Sequence, residues 1–301
     1  MTSGACWRGL RVLQRNWRQR PMDNAKNTKK LTFKNASIAY TVSGNKSGET
    51  ILMLHPAFTD RTIFEPQLAY FQKRYQLILV DLPGHGESQV GGTKVTLEDM
   101  PDILDRILSE NNTADCHVLG VSLGSLAAQA FADRCPDRVK SVIVVGGYSV
   151  HKANKPILKA QRREGLRWLF YILFSMKSFR AYAAAMACHT AEGRERFARG
   201  AAHFNRRSFA AMAGTKRFFV PRSEPAAYPL LLVIGEHDLQ LVRDAAAELQ
   251  RLEAGAELVL IPDSGHCANV DTPDVFNRLV DSFLQRLRST SHSEAHEPTG
   301  G

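Results

Sequence analysis

The sequence predicts an α/β fold with a mostly parallel central sheet flanked by helices. Three observations carry the prediction. Short apolar runs at residues 77–80, 116–119, 230–234 and 257–262 alternate with helical stretches, the pattern of a parallel sheet covered on both faces. A Gly-x-Ser-x-Gly turn joins one run to an alanine-rich helical stretch. Polar residues suited to chemistry follow three of these runs, where open parallel sheets place their functional groups.

In chain order, the run at 77–80 ends in Asp81-Leu82-Pro83-Gly84-His85-Gly86, a turn-rich loop in which His85 reads as structural. Residues 116–119 lead into Gly120-Val121-Ser122-Leu123-Gly124 and then the helical stretch 125–132. A serine on so tight a strand-to-helix turn has its hydroxyl pushed into the open. The flanking glycines leave room where a β-carbon would not fit. The helix N-terminus behind the serine favours developing negative charge. The apolar residues 230–234 run into Gly235-Glu236-His237-Asp238, setting Asp238 at a strand end, ahead of a helix beginning near Leu241. Residues 257–262 run into Asp263-Ser264-Gly265-His266.

A serine hydroxyl is a poor nucleophile near neutral pH; it needs a base, and the base needs an orienting acid. Ser122, Asp238 and His266 offer all three in that chain order, on one edge of one sheet. The bland alternatives are that Asp238 caps its helix and that backbone groups satisfy His266. His237 suits a neighbour of the acid better than a rival base. Cys267, beside His266, reads as a small packing residue rather than a second nucleophile.

On these motifs the chain resembles the α/β-hydrolase fold superfamily over about residues 31–287, in its capped serine esterase/lipase-like branch. The resemblance implies a core of residues 31–148 and 223–287 and a helical cap at 149–222. It also implies an oxyanion hole near a histidine-containing turn, here Ile51-Leu52-Met53-Leu54-His55-Pro56-Ala57-Phe58. Most relatives carry His-Gly there, so Pro56 is a departure. The backbone N–H groups needed are those of Leu123 and Ala57, with Phe58 as second choice. Sister branches that use an aspartate nucleophile, the haloalkane dehalogenases and epoxide hydrolases, are set aside by Ser122. Prolyl aminopeptidase relatives usually carry Gly-Gly-Ser-Trp-Gly at the elbow, which this chain lacks. What remains is an esterase, lactonase, thioesterase or carbon–carbon hydrolase, or a slow-turnover receptor on the same fold. An ester or lactone with an apolar acyl part is the leading expectation, and the implied chemistry requires no cofactor.

Length and composition fit one catalytic domain plus an insertion. A chain of 301 residues with 44% hydrophobic content can bury a substantial core. No repeat, phosphate-binding loop or paired Cys/His metal spacing stands out. The five cysteines, Cys6, Cys116, Cys135, Cys188 and Cys267, are odd in number and scattered, which favours a reducing compartment and a cytoplasmic location.

Charge divides the chain more sharply than its net +9. Residues 151–222 hold sixteen Lys and Arg against three acids, and residues 1–30 hold eight against Asp23; the remainder carries an excess of eleven negative charges. Mutual attraction between a basic cap and an acidic body is the bland explanation. The functional alternatives are steering of an anionic substrate and weak contact with an anionic membrane surface. Nothing resembles a nucleic-acid-reading motif, and the oligomeric state stays open.

Within the cap, Trp168-Leu169-Phe170-Tyr171-Ile172-Leu173-Phe174 is apolar on every side, so burial is expected. It is too short to span a bilayer. It either lines an acyl pocket over the site, with Phe58, Trp168 and Phe170 as substrate-binding residues, or forms plain cap core. Residues 1–22 lack acids and carry five arginines with Trp7, Leu10, Leu13 and Trp17 at near-helical spacing. They read as a mitochondrial presequence or as an extension upstream of a start at Met22. The basic extension to residue 30 and the polar tail 288–301 are expected to be disordered.

Overall fold

The computed structural model describes residues 28–151, 155–222 and 224–294. Its strands are β1 (Thr28–Phe33), β2 (Ala36–Gly44), β3 (Thr50–Leu54), β4 (Gln76–Val80), β5 (Cys116–Val121), β6 (Val139–Val145), β7 (Leu230–Gly235) and β8 (Glu257–Ile261). They form one sheet in the order β1-β2-β4-β3-β5-β6-β7-β8. β2 is antiparallel to both of its neighbours, and β3 to β8 are parallel. The β1–β2 hairpin closes through Lys34 and Asn35, both at positive φ (45° and 66°), as a two-residue turn matched to strand twist requires.

The helices are α1 (Glu65–Phe71), α2 (Met100–Glu110), α3 (Leu123–Arg134), α4 (Lys155–Phe174), α5 (Met176–Ala187), α6 (Ala191–Ala201), α7 (Ser208–Ala211), α8 (Gln240–Leu252), α9 (Ala268–Asp271) and α10 (Pro273–Glu294). Alternation along the strands feeds two cores. Leu52, Ile78, Val118, Val144 and Leu232 pack with Ile103 and Leu104 of α2, Phe131 of α3 and Leu249 of α8. Ile51, Leu79, Leu119, Val145 and Val233 pack with Phe71 of α1, Phe276 and Val280 of α10, and Phe197 of α6. Both faces are apolar because helices cover both, which is why the strands read as continuous apolar runs.

A buried arginine holds the loop at 81–88. Arg61 donates to Asp81 through its backbone N–H (2.8 Å) and its guanidinium, and the same guanidinium reaches Thr41 (3.0 Å) and Glu87 (2.5 Å). Burial pushes the Asp81 carboxyl up to about 6 against the opposing pull of Arg61.

Helices α4 to α7 lie between β6 and β7. Ion pairs tie the basic insertion to the acidic remainder: Arg199 to Glu65 (3.4 Å), Arg217 to Glu98 (3.0 Å), and Arg222 to Asp133 (2.9 Å) and Glu253 (2.5 Å). Mutual attraction therefore accounts for part of the uneven charge.

Three expectations need correction. Residues 28–30, expected to end a disordered extension, open β1 and pair with Thr41, Tyr40 and Ala39 of β2. Residues 288–294, expected to begin a disordered tail, continue α10, where Arg288 donates to Glu49 (2.7 Å) and Thr290 bonds back to the Leu287 carbonyl (2.8 Å). The apolar segment 168–174 is not buried all round: Leu169, Phe170, Leu173 and Phe174 are 51–72% exposed, because α4 turns only one side to the protein. The presequence reading of residues 1–22 and the tail beyond residue 294 lie outside the described residues. No described helix is long and apolar enough to cross a membrane.

Candidate active site

Ser122 stands between β5 and α3 with φ at 50°, a left-handed conformation that costs a non-glycine residue of order 1–3 kcal/mol. Neighbouring bonds impose it. The Ser122 N–H donates to Val145 at the end of β6 (2.8 Å), and its carbonyl accepts from the N–H (2.9 Å) and hydroxyl (2.6 Å) of Ser125. Both flanking glycines are required by close approach. A Cβ at Gly120 would strike the Gly124 carbonyl, and one at Gly124 would strike the carbonyl oxygen of Leu54. Gly124→Ala is therefore expected to destabilise by about 3 kcal/mol or more, read as a fall in Tm of roughly 5 °C or more.

The β7 and β8 loops deliver the other two residues. Backbone bonds from Glu236 to Ile261 (2.9 Å) and from His237 to Ser264 (2.8 Å) staple the loops together. Across them His266 Nδ1 lies 3.0 and 3.1 Å from the two carboxylate oxygens of Asp238. Asp238 does not cap a helix: α8 starts at Gln240 with Leu239 at its N-cap and no side-chain cap. The His266 ring sits against Gly146, at φ 58°, where a Cβ would come within 2.8 Å of Nδ1. Gly146 follows Val145, the residue that holds Ser122, so β6 brings serine and histidine to one edge.

Burial pulls the His266 imidazole down, but the Asp238 charge and hydrogen bond outweigh it, and the net displacement is upward. With Nδ1 facing the carboxylate, the proton belongs on Nδ1 and Nε2 is left as an acceptor. His237 turns away from this pair and stacks on His189 (3.8 Å between centroids). Cys267 is buried, its thiol pushed far up by the neighbouring Cys188 thiol and by burial, so it stays protonated.

Asp271 is a tie that the sequence did not betray. Its buried carboxylate accepts the N–H groups of Gly265, just before His266, and of His189 and Thr190 in the insertion, each at 2.8 Å. The insertion and the histidine loop are thereby held as one piece.

The turn after β3 abuts the start of α3, so the Ala57 and Leu123 amides come from adjoining segments. His55 is fixed, Nδ1 donating to the Pro56 carbonyl (2.7 Å) and Nε2 accepting from Leu82 N–H (2.9 Å); burial lowers it to about 4. Phe58, at φ 72°, projects into a cluster of rings: Trp168 at 5.0 Å, Phe179 at 5.1 Å, Phe204 at 5.3 Å and Phe209 at 6.0 Å. Phe58 and Trp168 are brought together; Phe170 is not, packing on Phe174 (4.7 Å) on the outer side of α4. Phe179, Phe204 and Phe209 join instead. Their signal in sequence was only a scatter of phenylalanines among arginines.

Among the described residues one cluster has the makings of a metal site, Glu236, His237 and Asp263, all exposed. Two of its side chains have partners already: Glu236 accepts from the Asp263 backbone N–H (3.2 Å), and His237 stacks on His189.

A parallel sheet with a strained serine at one strand end and a histidine–carboxylate pair at the same edge is the arrangement a hydrolase site would need. The sequence model of the Alpha/beta hydrolase family matches residues 51–279, and the chain belongs to that family. It is similar to the 2-hydroxy-6-oxononadienedioate/2-hydroxy-6-oxononatrienedioate hydrolase of Escherichia coli, 26% identical over 88% of this chain and 98% of the relative. In fold it is similar to a carboxylesterase structure from Nitrososphaera gargenis (TM-score 0.74, 18% identity, 87% of this chain and 100% of that one). It is also similar to the enol-lactonase of Burkholderia xenovorans (TM-score 0.71, 20% identity, 85% and 100%).

Proposed function

We propose that this hydrolase cleaves a carboxylic ester or lactone with an apolar acyl part, through Ser122, His266 and Asp238. Ser122 Oγ attacks the carbonyl carbon while His266 Nε2 takes its proton, and Asp238 stabilises the imidazolium that forms. The oxyanion is received by the N–H groups of Leu123 and Ala57, the former at the start of α3, where amides lack intrahelical partners. Collapse expels the alkoxide, which takes the proton from His266 and leaves an acyl-enzyme. Water, deprotonated by His266, then releases the acid and restores the serine.

The observation that carries the acyl preference is the ring cluster centred on Phe58, on the turn that also supplies Ala57. Phe179 and Phe204 are buried and back the cluster, while the half-buried Phe58, Trp168 and Phe209 offer apolar surface and exclude water. Nearby arginines are engaged with backbone: Arg180 donates to the Phe204 carbonyl (2.7 Å), and Arg206 to that of Ile172 (2.8 Å). A p-nitrophenyl ester series from acetate to decanoate tests the reading. A chain-length optimum is expected, and Phe209→Ala should move it to longer chains, changing the preference between neighbouring esters by about tenfold. A flat profile unaffected by Phe209→Ala would count against an acyl pocket there.

A second reading, a carbon–carbon hydrolase, is favoured by the relative from Escherichia coli and by His85. The buried His85 ring packs 5.1 Å from Phe204 and donates through Nδ1 to the Pro83 carbonyl (3.0 Å), while its Nε2 has no partner among the described residues. Burial lowers His85 to about 3, so Nε2 is a neutral acceptor suited to an enol hydroxyl. Turnover of a 2-hydroxy-6-oxodienoate with esters left intact would establish this reading instead.

A further inference from the structure

The outward side of α4 carries Leu166 (73% exposed), Leu169 (51%), Phe170 (60%), Leu173 (60%) and Phe174 (72%). Their spacing of three and four residues makes one continuous ridge. The inward side is engaged: Ile157 is buried, Gln161 donates to the Tyr148 hydroxyl (3.1 Å), and Trp168 packs edge-on against Phe58. Helical spacing puts the exposed Lys159, Arg162 and Arg163 on the same outward side, one and two turns before the ridge. None of these three has an acidic partner among the described residues. The helix's one acid, Glu164, lies on the other side, accepting from the Tyr182 hydroxyl (2.6 Å) and pairing with Arg167 (3.3 Å).

We propose that this face of α4 is a docking surface for an anionic lipid bilayer. Cations and apolar residues share one side of the helix but are segregated along its axis. The helix would therefore enter the interface at a slant, its C-terminal half in the acyl boundary and its N-terminal half among the headgroups. Interfacial helices bind by buried apolar area plus attraction to anionic lipid, and each basic residue near such a surface adds to that attraction. Charge selects this occupant over a second copy of the chain. The insertion holds a surplus of thirteen positive charges over residues 151–222; a copy brings the same excess to the contact, whereas an anionic bilayer brings the opposite sign. Docking there would set the Phe58 cluster, on the helix's inner side, next to the membrane. The proposal does not depend on which bond Ser122 cleaves.

Co-sedimentation of the full chain with vesicles tests it, using phosphatidylcholine alone and phosphatidylcholine mixed with phosphatidylserine. The expected result is binding to the mixed vesicles that weakens with added salt. Both Leu173→Asp/Phe174→Asp and Arg162→Glu/Arg163→Glu should lose roughly tenfold or more of it. Thermal unfolding of each variant at the wild-type temperature shows that the loss is one of surface and not of fold. Absence of binding to the mixed vesicles, or equal binding by either folded variant, would overturn the proposal. So would a wild-type dimer that the Leu173→Asp/Phe174→Asp change converts to monomer without altering vesicle binding, since a second copy would then cover the ridge.

Discussion

Ser122→Ala is expected to lower ester turnover by roughly 10⁴- to 10⁶-fold, with KM changed far less. The size follows from the role proposed for the hydroxyl, since without it neither an acyl-enzyme nor a proton for His266 exists. What remains is water reacting in a pocket that still offers the Leu123 and Ala57 amides. Because Ser122 makes its hydrogen bonds through its backbone, the variant should unfold at nearly the wild-type temperature. Steady-state kinetics on the best p-nitrophenyl ester, beside a thermal melt, checks both halves. Equal rates in the two proteins would remove Ser122 from the reaction.

Asp238→Asn is expected to cost about 10⁴-fold in kcat near neutral pH, because an amide in place of the carboxylate favours the wrong tautomer of His266. It also makes a distinct prediction about pH. His266 must be neutral to act as base, so kcat/KM falls as pH drops through its pKa. The wild-type imidazole is displaced upward, the pull of Asp238 exceeding the opposing effect of burial. The acid limb of the wild-type profile should therefore lie above the ordinary imidazole value, about 6.5. Removing the Asp238 charge leaves burial unopposed, and the limb should move to lower pH. A variant that is slow but keeps the wild-type limb would mean that Asp238 does not set the titration of His266.

The sheet and its carboxyl edge were legible because their signals are local. Residues 116–119 and 230–234 read as strands from apolar content alone, and Ser122, Asp238 and His266 were placed by the strand ends that precede them. Glycines at 120 and 124 announced the turn because nothing larger fits against the Gly124 carbonyl at the first or the Leu54 carbonyl at the second. The ring cluster was only half legible. Phe58 follows from the turn after β3, but Phe179, Phe204 and Phe209 meet it through the packing of short helices, which periodicity over so few residues does not determine. Phe170 was assigned inward from composition; its place two residues after Trp168 puts it on the opposite side of α4. Arg61 gave no sign of burial, since an arginine is buried only when partners such as Asp81 and Glu87 converge from other segments.

Charge taught a similar lesson. The surplus in residues 151–222 was plain in the sequence, but its division was not. Arg199, Arg217 and Arg222 bind acids of the sheet domain, and Arg180 and Arg206 bind carbonyls within the insertion. Lys159, Arg162 and Arg163 remain on the exposed side of α4, beside its apolar ridge.

Covalent labelling is the sharpest test of Ser122 as the nucleophile. The full chain would be treated with a fluorophosphonate, and the adduct counted by intact mass and located by peptide mapping. One phosphonyl group per chain is expected, on Ser122, with activity lost in step and no adduct on Ser122→Ala. Labelling of another residue that abolishes activity, or hydrolysis that continues with Ser122 fully modified, would contradict it.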